Sequence, residues 1–151
     1  MDAEIRSILL VEDDPNDVEL TLRALAEHNL ANRVAVAGDG QEALDYLHRR
    51  GKFGAHANNP IVVLLDLKMP KVSGLEVLRQ MKSDTRLKAI PVVVLTSSRE
   101  APDLAECYQL GVNAYVVKPV DFYEFIKAVK GLGAFWAVIN EPPPNNINKG
   151  K

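Results

Sequence analysis

The chain has 151 residues, of which 47% are hydrophobic and 25% charged, and its formal net charge is −2. This is the composition of one globular domain with a sizeable core, and it argues against a protein that binds duplex DNA through a basic face. Cys107 is the only cysteine and no apolar run approaches membrane-spanning length, so we expect a cytoplasmic protein without a disulfide and without a membrane partner.

Five short apolar segments alternate with helical patterns along the chain. Strands are predicted at 7–11, 33–37, 61–65, 91–95 and 114–117. Three of these segments are apolar without alternation, which is typical of parallel strands covered on both faces, whereas the second is weaker and is predicted to lie at an edge. With right-handed crossovers, the alternation predicts an α/β fold, a doubly wound (βα)₅ three-layer sandwich.

Capping signals mark where the intervening helices begin. Asp14 precedes Pro15, which is the pattern of an N-cap followed by proline at the first helical position. Three further helices are predicted to begin at capping-box sequences, which are DGQE (39–42), SGLE (73–76) and DFYE (121–124). Gly111 is predicted to end the fourth helix.

Two segments interrupt the regular pattern. RGKFGAHANNP (50–60) is predicted to be a surface loop, and the segment 140–151, rich in proline and asparagine, is predicted to be a disordered tail. The expected organisation is therefore a single domain over 5–139 that includes an extended C-terminal helix.

Polar side chains follow four of the five predicted strands. They are Glu12 and Asp13 after the first strand, Asp66 after the third, Thr96 with two serines after the fourth, and Lys118 after the fifth. In open α/β sheets, ligands bind at this carboxyl edge, next to the reversal of strand order. The sequence therefore predicts a binding or reactive site there.

Each of these residues also has an ordinary structural explanation. Asp14 is best explained as a helix cap, Asp66 alone could cap a turn, and Lys118 alone could be a solvated surface group. Taken together, however, three carboxylates at neighbouring strand ends repel one another unless cations lie between them. Lys118 supplies one positive charge, and a divalent cation held by oxygen ligands would supply two more, which favours Mg²⁺.

An aspartate in such surroundings has a chemical use. Its carboxylate can act as a nucleophile that accepts a phosphoryl group, while a metal ion and a lysine neutralise the phosphoryl oxygens. A hydroxyl such as that of Thr96 can donate to a phosphoryl oxygen.

The motifs ILLVEDD, LLDLKMPKVSG, VVVLTSS and GVNAYVVKP occur in this order at the strand ends, and with them the chain resembles a response-regulator receiver domain over about 5–139. The resemblance implies a chemotaxis-receiver-like sheet of order 2-1-3-4-5 with Asp66 as the phosphoacceptor. It also implies a magnesium site formed by Asp13, Glu12, Asp66 and the backbone carbonyl of Lys68.

The resemblance assigns further roles. Lys118 and Thr96 match the residues that contact the phosphoryl group, and Thr96 with Tyr115 matches the pair that switches the surface formed by helix 4, strand 5 and helix 5. Tyr115 could equally be an edge-strand aromatic that only packs. Lys118–Pro119 matches a peptide bond that is cis in this family.

The last helix carries apolar residues at helical spacing, predicted to run from Asp121 to Ile139. Two alternatives follow. Either the helix breaks at Gly131 or Gly133 and folds back, or Phe135 and Trp136 extend beyond the sheet as an exposed patch. The second is favoured, and it predicts a homodimer through the surface of helix 4, strand 5 and helix 5.

The long 50–60 connection and the aromatic last helix resemble the small, single-domain regulators that pair with bacterial phytochrome histidine kinases. This resemblance implies a phosphohistidine on such a kinase as the donor. It places the kinase near Asp17, Val18, Thr21 and Val120.

Other functions fit the sequence less well. In haloacid-dehalogenase-like phosphatases the nucleophile follows the first strand in a D-x-D pattern, but here DLK follows the third strand. A flavodoxin-like electron carrier would bind flavin phosphate after the first strand, where the acidic VEDDPND would repel it. A receiver-like scaffold that does not use phosphate stays open. We therefore expect a signalling protein with intrinsic phosphorylation and dephosphorylation chemistry rather than an enzyme.

Overall fold

The five strands form one parallel sheet. The computed structural model describes residues 6–53 and 58–144. The strands are β1 (Ile8–Val11), β2 (Val34–Ala37), β3 (Val62–Leu65), β4 (Val92–Thr96) and β5 (Ala114–Val117). Their order is β2-β1-β3-β4-β5 and every neighbouring pair is parallel. The predicted fold and the edge position of β2 are thus confirmed.

Five helices cover the sheet, and each follows its strand. They are α1 (Pro15–Ala26), α2 (Gly40–Leu47), α3 (Gly74–Ser83), α4 (Ala101–Gln109) and α5 (Phe122–Gly133), with short 3₁₀ turns at Ala31–Arg33 and Gly51–Phe53. The four predicted N-caps each accept a backbone N–H through their side chains, and they are Asp14, Asp39, Ser73 and Asp121. Gly111 has a φ of 95° just after α4 and ends that helix as predicted.

The core consists of two layers, one on each face of the sheet. Alternate residues of each central strand point to opposite layers, so Leu9 and Val11 lie on one side while Ile8 and Leu10 lie on the other. The first layer includes residues of α2 and α3, and the second includes residues of α1 and α5. Because both faces are covered, these strands are apolar without alternation.

The C-terminal helix does not break at either glycine. It continues from α5 into a π-helix, Ala134–Ile139, and the Asn140 N–H donates to the Phe135 carbonyl five residues earlier. The side chain of Trp136 packs against the second core layer, whereas Phe135 is 46% exposed and Val138 is 61% exposed. Phe135 is exposed as predicted, whereas Trp136 is only partly exposed, because its side chain packs against the second core layer.

The segments around the long loop and the tail meet at Arg6. Its guanidinium donates to the backbone carbonyls of Asn59, Pro60 and Pro143. Residues 54–57 of the predicted loop and 145–151 of the predicted tail lie outside the described residues. Within the described part of the chain, no helix has the length and apolar character that crossing a membrane requires.

Gly74 is a point of close backbone contact at the start of α3. A Cβ atom placed there would lie 2.0 Å from the backbone oxygen of Asp66. Only glycine therefore lets α3 approach the carboxyl end of β3 so closely. Gly131 differs, because a Cβ atom on this exposed helical residue would meet no heavy atom within 4 Å.

This contrast gives a matched pair of variants. Gly74→Ala is expected to lower the free energy of unfolding by about 2–3 kcal/mol, because the rigid Asp66 backbone must move. Gly131→Ala is expected to raise it by about 0.5–1 kcal/mol, because alanine favours an exposed helix. Urea unfolding of both variants measures the difference, and equal effects would contradict the close approach.

Candidate functional site

Glu12 and Asp66 are brought together by the register of the sheet. Val11 at the end of β1 pairs with Leu65 at the end of β3, so the two acidic residues that follow are neighbours. The Asp66 N–H donates to the Val11 carbonyl at 3.0 Å, which extends the ladder by one hydrogen bond. The side chains of Glu12 and Asp66 are both buried, although each residue directly follows a strand.

Lys118 follows the edge strand β5, and its side chain extends to the carboxylates of Glu12 and Asp66. Its backbone N–H donates to the Thr96 carbonyl at 2.7 Å, which fixes the residue just beyond β5. Its side-chain ammonium donates to Glu12 at 2.7 Å, to Asp17 at 2.8 Å and to Asp66 at 3.2 Å. One largely buried cation therefore connects residues of α1 with the ends of β1, β3 and β5.

Three carboxylates at this edge can approach a single metal ion. One oxygen each from Glu12, Asp13 and Asp66 lies within 4.8 Å of the others, and Asp13 is the exposed member of the three. Asp14 takes no part, because its carboxylate caps α1 by accepting the N–H groups of Asn16 and Asp17. Oxygen ligands in such a cluster fit a hard divalent cation.

The electrostatics of the site follow from burial. Burial raises the pKa of Glu12 to about 7, with the nearby Asp66 charge adding to the rise and Lys118 opposing it. Burial alone would lower the pKa of Lys118, but its hydrogen bonds to Asp17 and Glu12 outweigh burial and raise it above the ordinary value. The ammonium therefore stays charged at neutral pH, while a divalent cation at this site would compete with protons for the Glu12 carboxylate.

A hydrogen-bonded cluster connects the end of β4 to β5. Thr96 is fully buried, and its hydroxyl accepts the Ser98 N–H at 3.4 Å. The Tyr115 hydroxyl donates to the Ser98 carbonyl at 3.0 Å, and the Ser98 hydroxyl donates to Asp103 of α4 at 2.6 Å. Tyr115 is half-buried and packs against the first core layer. The two predicted switch residues thus meet at Ser98.

The structure revises three expectations from the sequence. Thr21 is only 1% exposed, so the prediction that it contributes to a kinase-docking surface is wrong, whereas Val120 is fully exposed. The predicted cis Lys118–Pro119 bond is also wrong, because this peptide is trans, the form that X–Pro bonds ordinarily prefer. Asp17 was predicted only as a surface residue, but it is a direct partner of Lys118.

Lys68 is placed beside the cluster by its backbone. Its N–H lies 3.4 Å from an Asp66 carboxylate oxygen, and its side chain is exposed. The charged side chain therefore points away from the buried part of the site. That the Lys68 carbonyl is a metal ligand stays a prediction.

Comparison with known proteins identifies a family to which the chain is similar. Residues 8–130 match the family model described as "Response regulator receiver domain". The chain is 43% identical over 136 residues to the "Probable methanogenesis regulatory protein FilR2" of Methanothrix harundinacea, which covers 90% of this chain and 86% of that protein. It is 37% identical over 129 residues to "Response regulator Rcp1" of Synechocystis, covering 85% and 87%.

Solved structures show the same similarity. The phosphorylated cyanobacterial phytochrome response regulator RcpA is 39% identical, with a TM-score of 0.87 and coverage of 92% of this chain and 99% of that one. The Mn²⁺-bound form of Rcp1 is 35% identical, with a TM-score of 0.86 and coverage of 92% and 99%. The bacteriophytochrome response regulator AtBRR is 59% identical, with a TM-score of 0.72 and coverage of 92% and 100%.

Proposed function

Because the chain belongs to the response regulator receiver domain family, a family of signalling proteins, we propose that Asp66 accepts a phosphoryl group from a sensor histidine kinase. The observation that carries the proposal is the meeting of Glu12, Asp13 and Asp66 beside the Lys118 ammonium at one edge of the sheet. This arrangement leaves a buried aspartate next to both a fixed cation and a candidate metal site.

The transfer is a displacement at phosphorus. A carboxylate oxygen of Asp66 forms a P–O bond while the P–N bond to the donor histidine breaks in line. The electron pair of that bond returns to the imidazole, which leaves as a neutral ring because its other nitrogen carries a proton. The product is an acyl phosphate on Asp66, and its later hydrolysis by water restores the carboxylate.

The surrounding residues have separate tasks. Lys118 neutralises charge on the phosphoryl oxygens, and the Thr96 hydroxyl donates to one of them. Asp13, Asp66, Glu12 and the Lys68 carbonyl would hold Mg²⁺. When bound, the metal ion supplies positive charge that offsets the carboxylates and the incoming phosphoryl group. The Mn²⁺-bound form of the relative Rcp1 supports a divalent ion, and the oxygen ligands here favour magnesium.

The output is proposed to pass through Thr96 and Tyr115. A phosphoryl group that draws the Thr96 hydroxyl towards Asp66 competes with its bond to the Ser98 N–H. The Ser98 loop also holds Tyr115 and α4, so its movement changes the surface formed by α4, β5 and α5. Phosphorylation then shifts a population that already exists rather than creating a new conformation.

The kinase partner is proposed to be a bacterial phytochrome. The similarity to phytochrome response regulators supports this assignment, as does 59% identity to a bacteriophytochrome response regulator. We propose a cytoplasmic protein that contacts the kinase near Val18 and Val120. We keep a phosphate-independent scaffold as the alternative function.

A homodimer is proposed through the surface of α4, β5 and α5. Large apolar side chains are exposed on α4, on α5 and on the π-helix that continues it, and they are Leu104, Tyr108, Phe122, Tyr123, Phe135, Val138 and Ile139. The predicted dimer residue Phe135 is one of them, and we propose that the π-helix takes part in the interface. The ring of Trp136 contacts that of Phe135 edge to face, with a centroid distance of 5.0 Å.

Incubation with acetyl phosphate and Mg²⁺ tests the phosphoacceptor directly. Intact mass is expected to rise by one phosphoryl group in the wild type and in Asp45→Asn, a surface aspartate of α2, but not in Asp66→Asn. Omission of Mg²⁺ is expected to slow the gain. An unchanged gain in Asp66→Asn would contradict the assignment, and sustained hydrolysis of phosphate monoesters would favour a phosphatase.

Light scattering after size exclusion tests the dimer. Phe135→Ala/Val138→Ala removes apolar surface from the proposed interface and is expected to raise the dimer dissociation constant at least about tenfold, equivalent to about 1.4 kcal/mol. Val36→Ala, at an exposed position on β2, is the control and is expected to change nothing. A double variant that dimerises like the wild type would refute the interface.

A further inference from the structure

Asp17 holds the Lys118 ammonium from a helix that carries none of the other proposed site residues. Its carboxylate accepts from Lys118 at 2.8 Å, a shorter contact than the 3.2 Å between Lys118 and Asp66. The side chain of Asp17 is 24% exposed, against 10% for that of Lys118, so this ion pair lies at the rim of the site and reaches inward.

The start of α1 fixes where Asp17 points. Pro15 is the first residue of the helix, and the Asp14 carboxylate accepts the N–H groups of Asn16 at 2.8 Å and Asp17 at 3.4 Å. The backbone of Asp17 is therefore held in the first helical turn by a cap that is not itself part of the acidic cluster. Its side chain does not depend on a metal ion for its position.

An ammonium group has three N–H donors, and in Lys118 three carboxylates take them. Phosphoryl transfer changes only one of these contacts, since the Asp66 carboxylate becomes an acyl phosphate and a phosphoryl oxygen takes its place as acceptor. The contacts with Glu12 and Asp17 can stay as they are. Without Asp17, Glu12 alone would hold the end of this flexible four-carbon side chain while the Asp66 contact is exchanged.

We infer that Asp17 is a positioning residue for phosphoryl transfer, which holds the Lys118 ammonium so that its third N–H exchanges from Asp66 to the phosphoryl group. This inference rests on the proposed phosphoacceptor function of Asp66. Its physical basis is preorganisation: a donor that is already aimed needs no rearrangement when charge develops on the phosphoryl oxygens.

Removal of Asp17 has a second, opposite electrostatic effect on the rate of phosphoryl transfer, and suitable variants separate the two effects. The negative charge of Asp17 also repels an incoming phosphoryl group, so its removal could accelerate transfer. Asp17→Asn keeps an acceptor oxygen at the same place and removes the charge. Asp17→Ala and Asp17→Ser remove the long-reaching acceptor as well. Glu19→Ala, an exposed acid of the same helix paired with Arg23, is the matched control.

The experiment measures the initial rate of phosphoryl uptake from acetyl phosphate and Mg²⁺ by intact mass. Asp17→Ala and Asp17→Ser are expected to slow uptake at least about tenfold, whereas Asp17→Asn stays within about threefold of the wild type. Glu19→Ala is expected to match the wild type. The shift in unfolding temperature caused by Mg²⁺ should be unchanged in all four variants, because Asp17 lies outside the metal cluster.

Three results would overturn the inference. Faster uptake in both Asp17→Asn and Asp17→Ala would make Asp17 a repelling charge, equal slowing in both would assign the effect to charge rather than to the hydrogen bond, and wild-type rates in both would make it a spectator. A wild-type protein that gains no mass would instead contradict the proposed function, and the inference would fall with it.

Discussion

A lysine ammonium buried among carboxylates is the interaction on which this site depends. Lys118 contacts Glu12, Asp17 and Asp66, which come from three different elements of the fold. Buried ion pairs add little stability on average, but removal of one partner leaves an uncompensated buried charge and is strongly destabilising. Because the carboxylates outnumber the ammonium, the site carries an excess of negative charge. A divalent cation would offset that excess of negative charge as well as the charge of an incoming phosphoryl group.

The register of the sheet places the charged residues of the site next to one another. β1 and β3 bring the acidic residues together, while the pairing of β4 with β5 sets Lys118 next to Thr96. The same β4 end carries the Ser98 loop, to which Tyr115 and α4 are hydrogen-bonded. A change at Asp66 therefore lies only a few contacts from the surface of α4, β5 and α5. The proximity provides a physical route for switching without requiring movement of the core.

Local signals predicted most of the fold from the sequence. Apolar segments covered on both faces identified the central strands, and the capping residues marked the helix starts, because both patterns reflect contacts within a few residues. The meeting of Glu12, Asp66 and Lys118 was also predictable, since the carboxyl ends of parallel strands share an edge.

What the sequence did not predict depends on long-range geometry. The contact of Asp17 with Lys118 requires the first turn of α1 to lie within reach of the Lys118 side chain, which residue types near Asp17 do not reveal. Trp136 packs against the core from a π-helix, in which a spacing of 3.6 residues per turn no longer identifies the side that faces the core. Thr21 is buried by packing of α1, although a threonine is more often exposed.

The central claim, that an excess of carboxylates at this edge forms a cation site, is tested most directly by thermal unfolding with and without Mg²⁺ in the wild type and Asp13→Asn. In EDTA the variant is predicted to be the more stable protein, because one repelling charge is gone. Mg²⁺ at about ten times its dissociation constant is predicted to stabilise the wild type by about 1.4 kcal/mol, a rise of about 3–6 °C, and the variant by less than about 1 °C. Equal shifts in the two proteins, or a wild type that is the more stable in EDTA, would contradict the account.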